Sequence, residues 1–245
     1  MSEPVAPPTD ATPAAEAHDH SHADISGGWL RAAVFGAMDG LVTNTALVAG
    51  MGGGRAAAGT IVLSGVASLV AGAISMSLGE YTSVQTQNEQ LDLEIAKERA
   101  ELQRNPAGEL AELTEMLRVR GVEDRLAREV ATQLSADPEV ALRLHVVAEL
   151  GLSPEDRPSP WVAAVSSFLT FGTGAVLPLL PYFFGVSLLW VALVFGGVGL
   201  LAAGALSSRF TPRSWWFAGL RQLVFGAVAA GVTFGIGAAI GVGVS

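Results

Sequence analysis

The chain alternates between two patterns of apolar positions. Five runs are almost uninterruptedly apolar, and each is long enough for a helix of ~20 residues to cross the ~30 Å core of a bilayer. They occupy residues 28–51, 56–80, 161–185, 186–207 and 215–244. Between the second and third runs, apolar residues recur with helical spacing among many charges. The pattern predicts an all-α integral membrane protein with five transmembrane helices and a helical segment outside the membrane.

The charged segment is predicted to begin as a stalk. No glycine or proline interrupts residues 80–105, so we expect the second transmembrane helix to continue out of the membrane until Pro106. Three amphipathic helices should follow at residues 106–120, 122–135 and 138–150. In the third apolar run, Pro178 and Pro181 should stop or kink the helix.

These patterns divide the chain into four parts. They are an N-terminal tail (1–27), transmembrane helices one and two (28–80), an acidic helical domain (81–159) and transmembrane helices three to five (160–245). The tail is rich in proline, alanine and acids, which predicts disorder, and it lacks the basic start of a secretory signal. Its histidines alternate with acids and could bind divalent cations weakly, or simply belong to a solvated tail. They are His18, His20 and His22.

Charge narrows the function. Half of the residues are hydrophobic and only 15% are charged, whereas about 25% of the residues of a soluble domain are charged. All 23 acids lie at or before Asp156, with 16 of them in residues 81–159, and the net charge of −9 favours cations over nucleic acid as partners. The absence of cysteine excludes thiolate ligands, so a bound metal would be held by carboxylate, imidazole, thioether or carbonyl groups, which suits Fe(II) or Mn(II).

The basic residues predict an orientation. If the acidic domain is cytoplasmic, Arg55 is the only basic residue left outside, as the positive-inside rule requires. The cytoplasmic set would be Arg31, the nine Lys and Arg of residues 81–159, Arg209, Arg213 and Arg221. The N-terminus would then be cytoplasmic and the C-terminus outside. The alanine-, glycine- and arginine-rich composition suggests a bacterial plasma (inner) membrane.

The strongest candidate within the membrane is Asp39, the only acid inside an apolar run. A carboxylate at that depth costs at least ~2.5 kcal/mol. It should be protonated unless a cation arrives, so it can exchange a proton for a metal, although a structural acid bonded to its own helix is the alternative. Met76 and Glu80 lie one turn apart at the end of the second run. A thioether favours Fe(II) over Mg(II), and Glu80 would form the cytoplasmic end of a path, unless these are a packing methionine and an interfacial acid.

Acidic side chains also share helical faces in the charged segment. The spacings are i, i+4 and i+7 on the stalk, i and i+3 on the next helix, and i and i+4 on the last helix. The residues are Glu94, Glu98 and Glu101, then Glu109, Glu112 and Glu115, then His145 and Glu149. Such faces are often merely solvated, but consecutive acidic helices could also hold a metal between them; Glu94 and Glu115 are the weaker candidates.

Several stretches resemble the vacuolar iron transporter family. They are GAMDGLVTNTALVAG, VAGAISMSLGEYTSVQTQNE, KERAEL with GELAEL, AELGL and FGTGAVLPLLPYFF, in the family's order and covering nearly everything after Gly28. The resemblance implies homodimers of five-helix protomers with a cytoplasmic helical metal-binding domain, which export Fe(II) and often Mn(II) against protons. It also implies a translocation acid at Asp39, a thioether ligand at Met76, and soluble-domain ligands at Glu98, Glu101, Glu109, Glu112 and Glu149.

The chain departs from the family pattern at two places. Met38 stands where the family has asparagine before the translocation acid, and His145-Val146 replaces a Met-Glu pair. One carboxylate is lost and imidazole replaces a thioether, which should alter the number of metals held by the helical domain and the preference among them.

The expected function is therefore a proton-coupled exporter of Fe2+, with Mn2+, Co2+ and Zn2+ as further candidate substrates. The alternative is a membrane-anchored metal-binding, iron-storage or sensing protein without transport. We do not expect an enzyme, because the Glu-x-x-His pairs from which di-iron sites are built do not occur in the chain.

Overall fold

The computed structural model describes residues 28–151 and 157–242, and this part of the chain is helical with short connections and no strand. Its helices are α1 (Trp29–Gly53), α2 (Ala58–Arg104), α3 (Pro106–Val119), α4 (Asp124–Leu134), α5 (Pro138–Leu150), α6 (Pro160–Val176), α7 (Leu180–Phe183), α8 (Leu189–Ser207) and α9 (Trp215–Val242). The predicted all-α fold is confirmed. The tail, with His18, His20 and His22, lies outside the described residues.

Five helical stretches of the described chain are long and apolar enough to cross a membrane, as predicted. They are Trp29–Gly53, the apolar first half of Ala58–Arg104, Pro160–Phe183, Leu189–Phe210 and Trp215–Gly241. Pro178 lies in a 3-10 turn at Leu177–Leu179, and Pro181 is the second residue of α7, so the expected break in the third stretch is present. The protein is an integral membrane protein.

Helix α1 occupies the middle of the membrane bundle, between α6 and α9. Glycines let the backbones touch: a Cβ at Gly40 would lie 2.2 Å from the carbonyl oxygen of Phe171, and one at Gly237 would lie 1.8 Å from that of Gly50. Close approach of this kind is how helices gain packing energy in lipid. The fully buried Asn44 adds hydrogen bonds from Nδ2 to two carbonyl oxygens of α2 and α6, those of Gly65 (3.1 Å) and Ala175 (2.8 Å).

Helix α2 is continuous for 47 residues, so the predicted stalk is confirmed. Its apolar half is rich in small residues, which allow another helix to approach closely. Ala67, Ala71, Ser75 and Gly79 are exposed on the protomer, so the bundle of one chain does not cover them. They remain available to a second copy.

The charged half of α2, with α3, α4 and α5, forms a separate cluster of helices at residues 81–151, called the charged cluster below. Asn105 separates α2 from α3 and its side chain accepts a hydrogen bond from the Gly108 N–H (3.2 Å), while Pro106 opens α3. Asp137 caps α5 in the same way, accepting from the Glu139 N–H at 2.9 Å. The one-residue junction at Asn105 folds α3 back beside the end of α2.

Helix α5 docks on α2 through an apolar contact and an ion pair. Leu142 and Val146 of α5 pack against Leu91 of α2 and bury all three side chains. Arg99 of α2 forms a two-pronged ion pair with Glu139 of α5, with Nη2 3.1 Å from Oε2. This packing fixes which face of α5 is turned toward α2.

Candidate metal sites

Three helices of the charged cluster bring their acidic and imidazole groups to one point. Glu98 comes from α2, Glu109 from the first turn of α3 and His145 from α5, and one ligand atom from each lies within 4.8 Å of the others. His145 Nδ1 is 3.3 Å from Glu98 Oε1 and 3.6 Å from Glu109 Oε2. Glu149, one turn after His145, places Oε1 3.6 Å from the same nitrogen. The group offers one nitrogen and three carboxylates.

The buried polar atoms of this group are not satisfied by one another. His145 is fully buried, yet neither ring nitrogen has a hydrogen-bond partner, and neither does Glu98 Oε1. His145 Nδ1 therefore lies near three carboxylate oxygens without an aligned N–H···O bond to any of them. A buried polar group without a partner is costly, and a divalent cation between His145 Nδ1 and Glu98 Oε1 would satisfy both of these atoms at once.

Burial and the charge of neighbouring acids also raise the pKa values of the carboxyl groups. Desolvation is the main cause that raises the pKa of Glu98 to about 7, and the charge of Glu149 adds to it while His145 opposes it. The pKa of Glu109 is raised as well, again mainly by burial. Carboxylates that are reluctant to ionise alone become ligands when a cation replaces the proton.

Two other predicted ligands, Glu101 and Glu112, lie around this centre rather than in it. Glu101 and Glu149 are exposed and border a cleft of about 110 Å³ beside Glu98. Glu112 is exposed on α3, and its charge reaches Glu109 closely enough to raise the pKa of that group. The two weaker candidates pair with basic neighbours: Glu94 with Lys97 at 2.7 Å and Glu115 with Arg118 at 2.6 Å.

Val146 stands where the resemblance implies a carboxylate, and in the structure its side chain has a packing role. Its side chain is 1% exposed and belongs to the apolar contact between α5 and α2. An acid there would have to leave that contact or be buried in it. The position serves docking of α5, and the site keeps His145 and Glu149 as its ligands from this helix.

In the membrane part, Glu80 is buried and makes an ion pair. Arg31 Nη2 at the start of α1 donates to Glu80 Oε2 at 2.8 Å, and Glu80 is 8% exposed. The predicted path residue is thus held by a cation of the same chain.

Two contacts fix how α1 and α2 lie alongside each other. Arg31 is level with Glu80, and Asn44 is level with Gly65, so the antiparallel helices place Asp39 near Ala71 in depth. At ~1.5 Å per residue, Met76 then lies about 7 Å from Asp39 along the axis, toward Glu80. The three predicted residues therefore follow one another along the helix axis, in the order Glu80, Met76 and Asp39.

Asp39 faces outward from the protomer. Together with Arg31, Phe35 and Thr43 it forms an exposed stripe at every fourth residue of α1, and it accepts a hydrogen bond from Thr43 Oγ1 at 3.3 Å. Met76 is half-buried against Ala73 and Phe171. The chain does not close a cavity around Asp39 by itself.

Two residues that matter in this region were not candidates from the sequence. Arg31 was counted only for orientation, although its charge inside the start of an apolar helix was a signal for a partner acid. Asn44 could not be found from the sequence, because its role in joining three helices depends on tertiary packing.

Comparison with known proteins bears on these sites. The sequence profile of the VIT family matches residues 30–238. The chain is 36% identical over 234 residues to a vacuolar iron transporter of Acanthamoeba castellanii, which covers 92% of this chain and 84% of the relative. It is 30% identical to vacuolar iron transporter 1 of Oryza sativa subsp. japonica, with 92% of both chains covered, and 30% identical to vacuolar iron transporter 1 of Eucalyptus grandis, with 90% of both covered. The chain therefore belongs to the VIT family.

Proposed function

We propose that the protein carries divalent metal, with Fe2+ as its main substrate, out of the cytosol in exchange for protons. The observation that carries the proposal is the convergence of Glu98, Glu109 and His145 with buried ligand atoms that lack hydrogen-bond partners. We infer that such a site binds a cation and is not there to stabilise the fold. It lies beside the membrane bundle, and related proteins are named vacuolar iron transporters.

The membrane path proposed here begins at Glu80 and ends at Asp39. A metal arriving from the charged cluster would displace Arg31 from Glu80, meet the Met76 thioether and then the Asp39 carboxylate. Each step inward along the axis is supported by the antiparallel alignment of α1 and α2. Metal that binds Asp39 from the cytosolic side would displace a proton from the carboxyl group to that side, and a proton from the far side would take the place of the metal when it leaves.

The working unit proposed is a homodimer. An acid at membrane depth that is exposed on its own protomer would otherwise face lipid, which costs at least ~2.5 kcal/mol for an ionised group. The same protomer leaves the small residues Ala67, Ala71, Ser75 and Gly79 of α2 uncovered. A second copy against this side would enclose Asp39 and provide close helix packing.

The charged cluster is proposed to be the cytoplasmic metal-binding domain, residues 81–159, with the tail cytoplasmic and the C-terminus outside. The distribution of basic residues supports this orientation. For the membrane itself we propose a bacterial plasma membrane, on composition. The donor set of one imidazole and three carboxylates also accommodates Mn2+, Co2+ and Zn2+, which we propose as lesser substrates.

The test is metal flux into proteoliposomes that contain the purified protein. Asp39→Asn keeps the size of the side chain but cannot carry a charge, and should abolish Fe2+ flux while the protein remains folded. Glu98→Gln should slow flux at low Fe2+ concentration and spare it at high concentration, because it impairs capture rather than passage. Wild-type vesicles that bind Fe2+ without moving it would instead identify an anchored storage or sensing protein.

A further inference from the structure

The connection between α8 and α9 forms a mainly apolar cleft with charged and polar residues on its rim, at the edge of the membrane bundle. The cleft has a volume of about 650 Å³, and its floor is the apolar last turns of α8. Its rim carries Ser208, Arg209, Arg213, Ser214 and Trp215. Both arginines and the tryptophan are exposed, and the two charges stand on opposite sides of a seven-residue connection between the helices.

Arg209 and Arg213 make no ion pair with any of the described residues. The sequence contains no aspartate or glutamate after Asp156, and in the described part of the chain neither arginine makes an ion pair. Arginines in the charged cluster behave differently: Arg118 and Arg128 both contact Asp124, at 3.2 Å and 3.1 Å. The cleft therefore presents two positive charges that no acid among the described residues pairs with.

The cleft lies at the depth of lipid head groups. Helix α8 ends at Ser207 and α9 begins at Trp215, so the connection is where the chain leaves and re-enters the apolar layer. Trp215 and Trp216 are 68% and 58% exposed there, as expected for tryptophans at a membrane interface. Counting crossings from α1 puts this connection on the same membrane side as the charged cluster.

We propose that this cleft binds the phosphodiester head group of an anionic phospholipid in the leaflet next to the charged cluster. Guanidinium groups match phosphate oxygens in pairs of hydrogen bonds. The apolar floor provided by α8 continues into the region of the acyl chains, which a free phosphate could not use.

Native mass spectrometry of the full-length protein in detergent tests this assignment, with phosphatidylglycerol, phosphatidylcholine and glycerol 3-phosphate as probes. The wild type should retain phosphatidylglycerol in preference to phosphatidylcholine and should not retain glycerol 3-phosphate. The double change Arg209→Ala with Arg213→Ala should weaken phosphatidylglycerol binding roughly 30-fold, since each arginine near an anionic surface contributes about fivefold. Circular dichroism confirms that the variant keeps its helices.

Arg55→Ala is the matched control, because it removes an exposed arginine from the opposite end of the bundle. It should leave phosphatidylglycerol binding unchanged. Equal losses in the control and the double variant would overturn the proposal in favour of attraction by net charge. Equal retention of both lipids, or retention of glycerol 3-phosphate as strong as that of the lipid, would overturn it as well.

Discussion

At the scale of single residues, the main finding is the mismatch around His145. A fully buried imidazole lies 3.3–3.6 Å from three carboxylate oxygens but makes no hydrogen bond to them. The arrangement resembles a ligand set more than a structural network, because structural networks satisfy their buried atoms. Glu98 is also poorly accommodated as a charged group, because burial raises its pKa to about 7.

Glu98 gives a pH prediction. It ionises in the folded chain near pH 7 and in the unfolded chain near 4.5, so between these values the folded state holds more protons. The free energy of unfolding of the metal-free protein should therefore fall as the pH rises from about 4.5 to about 7. Metal must displace that proton, so affinity should rise roughly tenfold per pH unit below pH 7 and then level off.

Isothermal titration with Mn2+ at several pH values measures this dependence. Glu98→Gln should weaken binding and flatten its pH profile, and the metal-free variant should keep its thermal midpoint between pH 6 and pH 8 better than the wild type does. Glu89→Gln, an exposed acid of the same helix, should change neither property. A Glu98→Gln protein with the wild-type pH profile would show that the titrating group is another one.

His145 gives a prediction about metal preference. Imidazole binds Zn2+ and Co2+ better than Mn2+, whereas a thioether is a weak ligand for all three. His145→Met should lower the ratio of Zn2+ to Mn2+ affinity by on the order of tenfold, measured by competition between the two metals. An unchanged ratio would remove His145 from the ligand set.

At the scale of helices, the bundle depends on glycines placed where two backbones meet. Gly40 follows Asp39 directly and lies against the Phe171 carbonyl of α6, so a methyl group at this position would push α1 away from α6. That displacement would also move Asp39. Other glycines, such as Gly59, have nothing within 4 Å of the position of a Cβ.

These two positions make a matched pair. Gly40→Ala should destabilise the protein by about 1–3 kcal/mol through overpacking. Gly59→Ala should be neutral or stabilising by up to ~1 kcal/mol, because alanine favours helix over glycine. Thermal unfolding in detergent measures both, and equal midpoints for the two variants would contradict the proposed contact between α1 and α6.

Helical periodicity allowed much of this level to be predicted. The five apolar stretches, the continuous α2 and the break at Pro178 follow from local sequence alone. The convergence of Glu98 with His145, 47 positions away, does not, because spacing shows only which residues share a face. Which face is turned inward depends on Leu142 and Val146 docking against Leu91. The Arg31–Glu80 pair and the outward direction of Asp39 likewise depend on tertiary packing, which the spacing of residues in the sequence does not show.

At the scale of the whole molecule, the account requires a second copy. The exposed stripe of α1 carries an acid that one protomer does not enclose, and the chain has no cysteine, so single cysteines can be introduced without background. In the proposed homodimer, a two-fold axis near this stripe would bring equivalent residues of the two copies together.

Phe35→Cys and Thr43→Cys, one turn on either side of Asp39, test this arrangement. At least one should form a disulfide-linked dimer under mild oxidation in the membrane. Val228→Cys on the exposed face of α9 should remain monomeric. Crosslinking at Val228 and at neither position of the stripe would place the interface elsewhere.

The central claim is that Asp39 exchanges a proton for a metal. The most direct measurement follows Fe2+ and pH together in the same proteoliposomes, with wild-type protein and with Asp39→Asn. We expect Fe2+ movement with opposite proton movement in the wild type, and neither in the variant. Fe2+ flux that persists in Asp39→Asn, or wild-type flux without any proton movement, would contradict the account.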